Sequence, residues 1–597
     1  MAVLVSALPP CVLHEDDHLL VVHKPAGLNT HAPAPYAGEG IYDWLRHREP
    51  RWADLAIIHR LDKETSGVLV FSKTELASRS LTQQFAQREV RKQYRLLTDR
   101  PVPASPLLAK SPISRRGDRY VAGGSGAAGQ PAETRFRVVE RGSTTTVVEA
   151  EPVTGRTHQI RVHAAWQGFP VLGDGLYGGS PHARVCLHAC EVRFRHPATG
   201  QEVAFRAEPD FEADVRSALR GAFLDAQETN AFRLLHGAGD GWPGWYVDRL
   251  GEYLLSQGEP PLNEAQREKL QQWMRAFAAR GVYHKRLERQ VRHTTLPEAS
   301  AQLVLGEPAP ERFGVRENGL SFELSFAEGH SVGLFLDQRD NRRRLLTGQI
   351  AANFPLHSPP SPPAARTSPQ GERRDAGLTC EAACSSLSCP DPLNPVGADV
   401  RRRPARFTQS LGLVTSAPTN AVGSCELLNV FAYTCGFSVG TALAGAHTTS
   451  LDLSKKYLDW GRRNFALNGL DPAEHDFLYG DALDWLRRLA KKGRVFDVVV
   501  LDPPTFSQSK EHGAFRAERD YGRLVRAALP LLEPNGVLFA STNAARLAPD
   551  VFLQQLRTAV TTAGRRIVQE HYVPQPPDFP MGREEPAYLK TVWLRVE

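Results

Sequence analysis

Beyond residue 426 the sequence switches repeatedly between two hydrophobic periods, and few architectures accommodate that. LLNVFAY (427–433), TSLDLS (449–454), FDVVVLDPP (496–504) and VLFAST (537–542) are short, strand-like runs. SKKYLDWGRRNFALNG (454–469) and YGRLVRAALPLLEPNG (521–536) instead space their apolar residues as a helix does. Strands alternating with helices build βαβ units on a largely parallel sheet. An α/β domain is therefore expected over 311–353 and 423–597.

The rest of the chain reads differently. From Val12 to about Pro209, β-branched runs such as LLVVHKP, SGVLVFSK and TTTVVEAEP are punctuated by Gly and Pro, with a helical stretch near Thr74–Arg88, which predicts an α+β domain over 1–210. A second small α+β unit is expected over 223–305, with strand-like WYVDRLGEYLLSQ and a helix from Asn263 to Arg280 whose Leu270, Trp273, Met274 and Phe277 form a core face. A short polar link is expected near 210–225. Residues 354–422, rich in Pro, Ser, Ala and Arg, read as a disordered insertion. Its Cys380, Cys384 and Cys389 have neither a CxxC pair nor a histidine at ligand spacing, so no metal is expected.

A chain of 597 residues with 41% hydrophobic content can bury several cores, yet no run nears the ~18 apolar residues of a membrane span. The N-terminal MAVLVSALPPCVL lacks a basic start and leads into a strand, unlike a signal peptide. Eight scattered cysteines fit a reducing compartment, so a cytoplasmic protein without membrane contact is expected. The net charge of +6 decides little, but Arg46/Arg48/Arg51, Arg88–Arg95, Arg115–Arg119, His284–Arg292 and Arg342–Arg344 form five basic knots that favour a nucleic-acid partner.

Asp62, in IIHRLDKETSGVLVFSK, lies between Arg60 and Lys63. Nearby cations favour the ionised carboxylate, which suits either an ion pair or a nucleophile. HRLDKETSG (59–67) resembles the signature of RluA-type pseudouridine synthases, and HKPAGL (23–28), RKQY (91–94), TGRTHQIRVH (154–163), GDGLYGG (173–179) and LHACEVRFRHPATG (187–200) follow that family's pattern in order. The resemblance covers about 11–210. It implies that Asp62 is the catalytic aspartate, Tyr94 the active-site tyrosine and Arg161 the arginine paired with Asp62. Arg60, Lys92, Arg156 and His158 would face RNA, with Arg60 helping to displace the target base. No cofactor is implied, because the reaction is an isomerisation. Many relatives add an N-terminal RNA-binding module, whereas about ten residues precede the catalytic unit in this chain.

In the C-terminal part, LLNVFAYTCGFSVG lacks the GxGxxG of a dinucleotide site. The ordered set of this turn, Asp452, Asp481 in YGDALDW and Asp502-Pro503-Pro504 resembles class I S-adenosylmethionine-dependent methyltransferases of the RlmI and RlmK type, over about 225–597. The resemblance implies that Asn429, Phe431, Tyr433 and Gly436 line the methionine end of the donor, Asp452 holds its ribose and Asp481 faces its adenine. Asp502, Pro503 and Pro504 would form the methyl-transfer loop. It also makes the 223–305 unit RNA-facing, and ENGLSFEL (317–324) and GLFLDQRDNRR (333–343) strands that precede a Rossmann-like sheet. Cys435 replaces a usual glycine, where a side chain would crowd the donor, but Gly436 follows directly and donor binding is expected to be retained. The strand LFASTNAARL (538–547) lacks the cysteine nucleophile of the carbon-methylating type, which favours a purine nitrogen, most readily of guanine, as acceptor.

The fold class expected is thus multidomain: an α+β pseudouridine synthase mixed sheet, a small α+β RNA-facing domain and an α/β Rossmann-like methyltransferase. The expected function is bifunctional modification of RNA, large-subunit ribosomal RNA before transfer RNA, by a monomer. The alternative is a single-activity synthase whose C-terminal half only binds RNA.

Overall fold

Strand Ser66–Ser72 is buried at every position, which requires partners on both edges and cover on both faces. The computed structural model of the chain, which describes residues 8–103, 105–123, 129–259, 261–287, 300–327, 331–357, 425–509, 513–582 and 584–597, supplies them. In the N-terminal domain the sheet runs 12–15, 19–24, 66–72, 187–195, 91–98, 146–152, 133–141 and 107–110, with 202–206 and 56–57 as branches. It is mixed: 187–195 lies parallel to 66–72, His188 opposite Ser66 and Ala189 opposite Gly67, while its other neighbours 91–98 and 202–206 are antiparallel. Thr74 caps helix Glu75–Ala86 through Ala77 N–H.

The link expected near 210–225 contains a helix, Val215–Phe223, capped by Asp214. Its Phe223 packs edge-on against Trp44, and its buried Arg220 donates to Asp240 Oδ2 at 2.7 Å and to the carbonyl of Asp578 at 3.0 Å. A polar reading misses this because one guanidinium, with its charge satisfied, can serve as an interior crosslink. The central unit is a five-stranded sheet, 231–236, 246–250, 253–258, 281–286 and 302–306. Helix Glu264–Ala276 packs on it through Leu270 and Trp273 and begins with an Asn263–Gln266 capping box.

The C-terminal sheet runs 476–479, 447–452, 426–430, 496–501, 532–542, 590–596 and 567–573. The first five strands are parallel, and 590–596 is antiparallel to both neighbours. Strand order reverses between 426–430 and 496–501, where a doubly wound sheet opens a crevice at its carboxyl end.

Three expectations change. ENGLSFEL forms one strand of a hairpin, Phe313–Glu317 with Leu320–Leu324, but GLFLDQRDNRR is not a strand. It makes a short turn, Leu336–Gln338, and then a helix, Arg339–Thr347. The reason is electrostatic. Helical spacing sends each arginine to a different acceptor: Arg339 to Asp578 (2.7 and 2.9 Å), Arg342 to Glu317 (2.6 and 2.7 Å), Arg343 to Glu49 and the Arg48 carbonyl, and Arg344 to the Ile350 carbonyl (2.8 Å). The Arg342–Arg344 knot is therefore interior structure, not an RNA-facing surface. The start of the expected disordered insertion also moves. Phe354–Pro355 pairs with Gln349–Ala351, and Phe354 and Leu356 are buried in the core with Trp593. Residues 358–422 of that insertion lie outside the described residues.

The N-terminal domain meets the C-terminal one at a seam where Arg343 holds the end of helix Ile41–Arg48 and His47 Nδ1 accepts Ala352 N–H at 3.1 Å. Removing one partner of a buried ion pair costs ~3–5 kcal/mol, because the other charge is stranded. Asp578→Asn strands Arg339. The variant is expected to unfold at clearly lower urea concentration than wild type, and an unchanged midpoint would count against this role.

Candidate active sites

Asp62 is positioned from two sides. Gly67, at φ +122, lets its strand pass Ala189: a Cβ there would lie 2.3 Å from the Ala189 oxygen. On the other side the buried Lys24 donates from Nζ to the carbonyls of Pro25 (2.9 Å), Leu28 (2.7 Å) and Lys63 (3.3 Å), tying the HKPAGL loop to the residue after Asp62. Three carbonyls match the three N–H groups of an ammonium. Burial pushes its pKa down to about 7, against the pull of Asp62 and Glu64.

Arg161, buried in helix Gln159–Trp166, reaches the carboxylate. Its Nε and Nη2 donate to Asp174 at 2.6 and 2.9 Å, leaving Nη1 at 3.4 Å from Asp62 Oδ2 and 3.6 Å from Glu64. The guanidinium thus has a fixed partner, Asp174, and turns its remaining edge to Asp62. Despite burial, the hydrogen bonds and charge of Asp174 hold Arg161 protonated. His158 heads the helix at φ 56. Its Nδ1 pairs with Tyr177 OH at 2.8 Å and its Nε2 lies 4.0 Å from Asp62 Oδ2. Burial lowers its pKa. It belongs with the carboxylate cluster more than with an outer RNA-facing surface.

Tyr94 lies on strand Arg91–Thr98 opposite Ala189. Burial first, and the Asp62 charge second, raise its pKa well above the ordinary value, so the phenol is neutral. Arg60 and Arg156 are exposed. Lys92 Nζ stands 5.6 Å over the Phe85 ring, and a Cβ at Gly155 would meet it at 3.8 Å, which places it beside the loop that carries Arg156. Sequence reasoning gave no role to Lys24, Asp174 or Tyr177. The signal was present, since all three lie inside the HKPAGL and GDGLYGG motifs.

The second site is a cavity of ≈ 720 Å³ at the strand-order reversal. The loop after Glu426–Val430 takes left-handed backbone at three non-glycine residues, Phe431 (φ 64), Tyr433 (φ 51) and Cys435 (φ 61), at a cost of order 1–3 kcal/mol each. Bonds from outside the loop hold it: Tyr433 N–H to Asp452 Oδ2 (2.9 Å), Ala432 N–H to the Leu451 carbonyl (2.9 Å) and Asn464 Nδ2 to the Thr434 carbonyl (2.9 Å). Phe431, Tyr433, Gly436, Asp452, Asp481 and Asp502–Thr505 line the cavity.

Asn429 does not. It is fully buried and donates to Ser438 Oγ at 2.9 Å. Strand alternation sends its side chain into the sheet–helix interface, so it supports helix Gly436–Leu443 and does not touch a ligand. Nor does Cys435 line the cavity. Its side chain is buried against helix Lys455–Leu467, where a Cβ on Gly461 would lie 2.3 Å from Sγ. Burial pushes the thiol up to about 12.

Ser454, not Asp452, caps helix Lys455–Leu467. The Asp452 carboxylate accepts Tyr433 N–H and, at 2.8 Å, Ser454 N–H, and still has lone pairs facing the cavity. Asp481 caps helix Ala482–Lys491 through Leu483 and Asp484 N–H as well as lining the cavity. Asp502 Oδ2 accepts from Gln338 Nε2 at 3.3 Å, and burial pushes its carboxyl up to about 6. Gln338 also donates to Ser541 Oγ at 2.7 Å, and beside it Tyr588 OH donates to Asp337 at 2.8 Å. Gln338 and Asp337 went unassigned because a run of arginines surrounds them.

Among the described residues, Glu39, His47 and His571 bring ligand atoms within 4.8 Å of one another at the seam. Because His47 Nδ1 accepts Ala352 N–H, its proton sits on Nε2, which suits hydrogen bonding better than metal ligation.

Residues 18–166 match the family described as RNA pseudouridylate synthase, and residues 415–595 match the S-adenosylmethionine-dependent methyltransferase family. The chain is 40% identical over 221 residues to ribosomal large subunit pseudouridine synthase C of Yersinia pestis, across 34% of this chain and 68% of that one. The Escherichia coli K12 protein of the same name is 37% identical over the same shares. Among solved structures, a methyltransferase in complex with SAH aligns at 23% identity and TM-score 0.46, covering 64% of this chain and 79% of its own.

Asp174→Asn weakens the grip on Arg161 and lets its free edge drift from Asp62. Misplacement of this kind costs up to ~10²-fold in rate. Pseudouridine formation is expected to fall in kcat with KM for RNA little changed. A variant with wild-type kcat would remove Asp174 from the site.

Proposed function

The chain belongs to the RNA pseudouridylate synthase family and carries an S-adenosylmethionine-dependent methyltransferase domain besides, and from that premise we propose that one polypeptide isomerises a uridine and methylates a guanine nitrogen of large-subunit ribosomal RNA. The observation that carries this reading is the presence of two separately assembled sites, Asp62 on the free edge of Arg161 and the Asp452–Asp502 cavity. The names of the related ribosomal enzymes support the choice of substrate.

In the N-terminal site the N1–C1′ bond of the uridine breaks, the uracil turns, and C5 bonds to C1′. C5 gives up its proton and N1 gains one. Both basic contacts of Asp62 fall on Oδ2, which leaves Oδ1 for the substrate. The aspartate then adds to C1′ or to the uracil ring, or takes a ribose proton. The neutral Tyr94 offers a face for stacking and a hydroxyl. Flipping the base costs ~a few kcal/mol, and the exposed Arg60 would fill the gap.

In the C-terminal site bound S-adenosylmethionine supplies an electrophilic methyl group. The residues present fit such a ligand: Asp452 offers acceptors for hydroxyl groups, and the strained 431–435 loop brings backbone and Phe431 to the cavity wall. Asp502, fixed by Gln338, accepts an N–H of the incoming base when ionised. The free cysteines among the described residues are Cys11, Cys186, Cys190, Cys425 and Cys435, and none lines this cavity. The strand end Ser541, Thr542 and Asn543 carries no cysteine either. Both features favour nitrogen over carbon as the methyl acceptor.

The reading is tested by nucleoside mass spectrometry on ribosomal RNA from cells lacking the protein, complemented with wild type, Asp62→Ala or Asp452→Ala. The first variant is expected to lose one pseudouridine and the second one methylguanine. If Asp452→Ala leaves every methylated nucleoside in place, the C-terminal half is an RNA-binding module, and 5-methylcytosine as the product would overturn nitrogen methylation. The raised Asp502 carboxyl adds a pH dependence. Protonated below about 6, it no longer accepts a proton, so kcat/KM for methylation is expected to rise with pH to a plateau above that value. A flat profile from pH 5 to 8 in Asp502→Asn would accompany a loss of rate.

A further inference from the structure

Beside the methyl-transfer cavity lies a second depression of ≈ 860 Å³, formed between helices Ala517–Ala528 and Pro549–Thr562. Arg519, Arg523 and Arg526 stand at i, i+4 and i+7 on one face of the first helix, a row of about 10 Å at 1.5 Å per residue. Arg557 faces them from the second helix, and all four are exposed. Asp520 and Asp550 also line the trough, Arg519 contacts Asp520 at 3.1 Å, and Arg557 pairs with Glu570 at 2.6 Å. Ion pairs at solvent-exposed arginines are weak, so they compete little with a phosphate for the guanidinium.

Two further observations give the trough direction. Asp520 and Arg523 line both this depression and the methyl-transfer cavity, so the two adjoin at these side chains. Its far wall is Tyr36, which comes from the N-terminal half, lies exposed at φ 62 and rests edge-on against Tyr572 with ring centroids 5.0 Å apart. Among the described residues Val551 is the one aliphatic side chain of the lining, which is too little apolar surface for the core of a protein interface.

We propose that this trough is a track for single-stranded RNA, in which the arginine row carries the phosphates, Tyr36 stacks a base, and the strand is led into the methyl-transfer cavity. The inference rests on the RNA-modifying reading of the C-terminal half and adds to it the path of the substrate, which both halves of the chain build. A row of guanidinia beside an exposed aromatic ring is the arrangement that binds unpaired strands, and a base has to leave its stack to enter a cavity of this kind.

The test uses the full chain and a labelled single-stranded RNA of about 16 nucleotides, with affinity measured by fluorescence anisotropy at several salt concentrations. Arg519→Ala/Arg526→Ala is expected to bind about tenfold more weakly. The slope of log K against log salt should fall by ~1.4, or ~0.7 for each lost phosphate contact. Tyr36→Ala should weaken binding and leave that slope unchanged. Unfolding midpoints of the variants establish that they are folded, and Arg526→Glu should deepen the loss. Photocrosslinks from 4-thiouridine RNA are expected in the 517–528 and 549–562 segments. Wild-type affinity and slope in the arginine variants, with crosslinks confined to the N-terminal half, would overturn the track and leave the RNA-modifying reading standing. Failure of the wild-type chain to bind RNA at all would overturn both.

Discussion

Four arginines on one short helix hold this molecule together. Arg339, Arg342, Arg343 and Arg344 are all buried, and each is satisfied by a different part of the chain: the Asp578 loop, the Glu317 hairpin, the end of the Ile41–Arg48 helix and the Ile350 strand. Stripping water from four guanidinium groups is tolerable only if all four acceptors are in place together. The helix therefore links the N-terminal domain, the hairpin and the parallel sheet into one assembly. Gln338, at its entrance, continues that order to Asp502 at the wall of the second cavity.

The two active sites reach chemical readiness by different routes. At Asp62 the work is done by charge. Asp174 occupies one edge of Arg161, Lys24 ties down the adjoining loop, and the aspartate meets a cation whose orientation is already fixed. At the methyl-transfer cavity it is done by backbone. Residues 431, 433 and 435 accept left-handed angles that bring main chain to the cavity wall, and the strain is held by contacts in the neighbouring strand and helix.

What was legible in the sequence follows from the same division. Period and motif marked the alternating strands and helices and the segments that carry Asp62, Tyr94, Arg161, Asp452 and Asp502, because strand alternation and short-range patterns are local properties. The failures are non-local. An arginine run reads as a surface until Glu317, Asp578 and Glu49 are brought beside it from elsewhere in the chain, and Arg220 within a polar link reads as solvent-facing until the Asp578 carbonyl is seen above it. Asn429 was assigned by its place in a motif, but the parity of the strand turned it inward. Asp174 and Tyr177 were quoted within a motif and left without roles, since their value comes from distances to Arg161 and His158 that no spacing rule encodes.

Cys435 and Gly461 form a matched knob and hole, with Sγ filling the space that any side chain at 461 would need. Such a pair ties two positions together, because any side chain at 461 would overfill the core against the thiol. With the thiol in place, position 461 loses its freedom to vary. The cysteine at 435 is thus matched by a second constraint 26 residues later, where a motif search does not look.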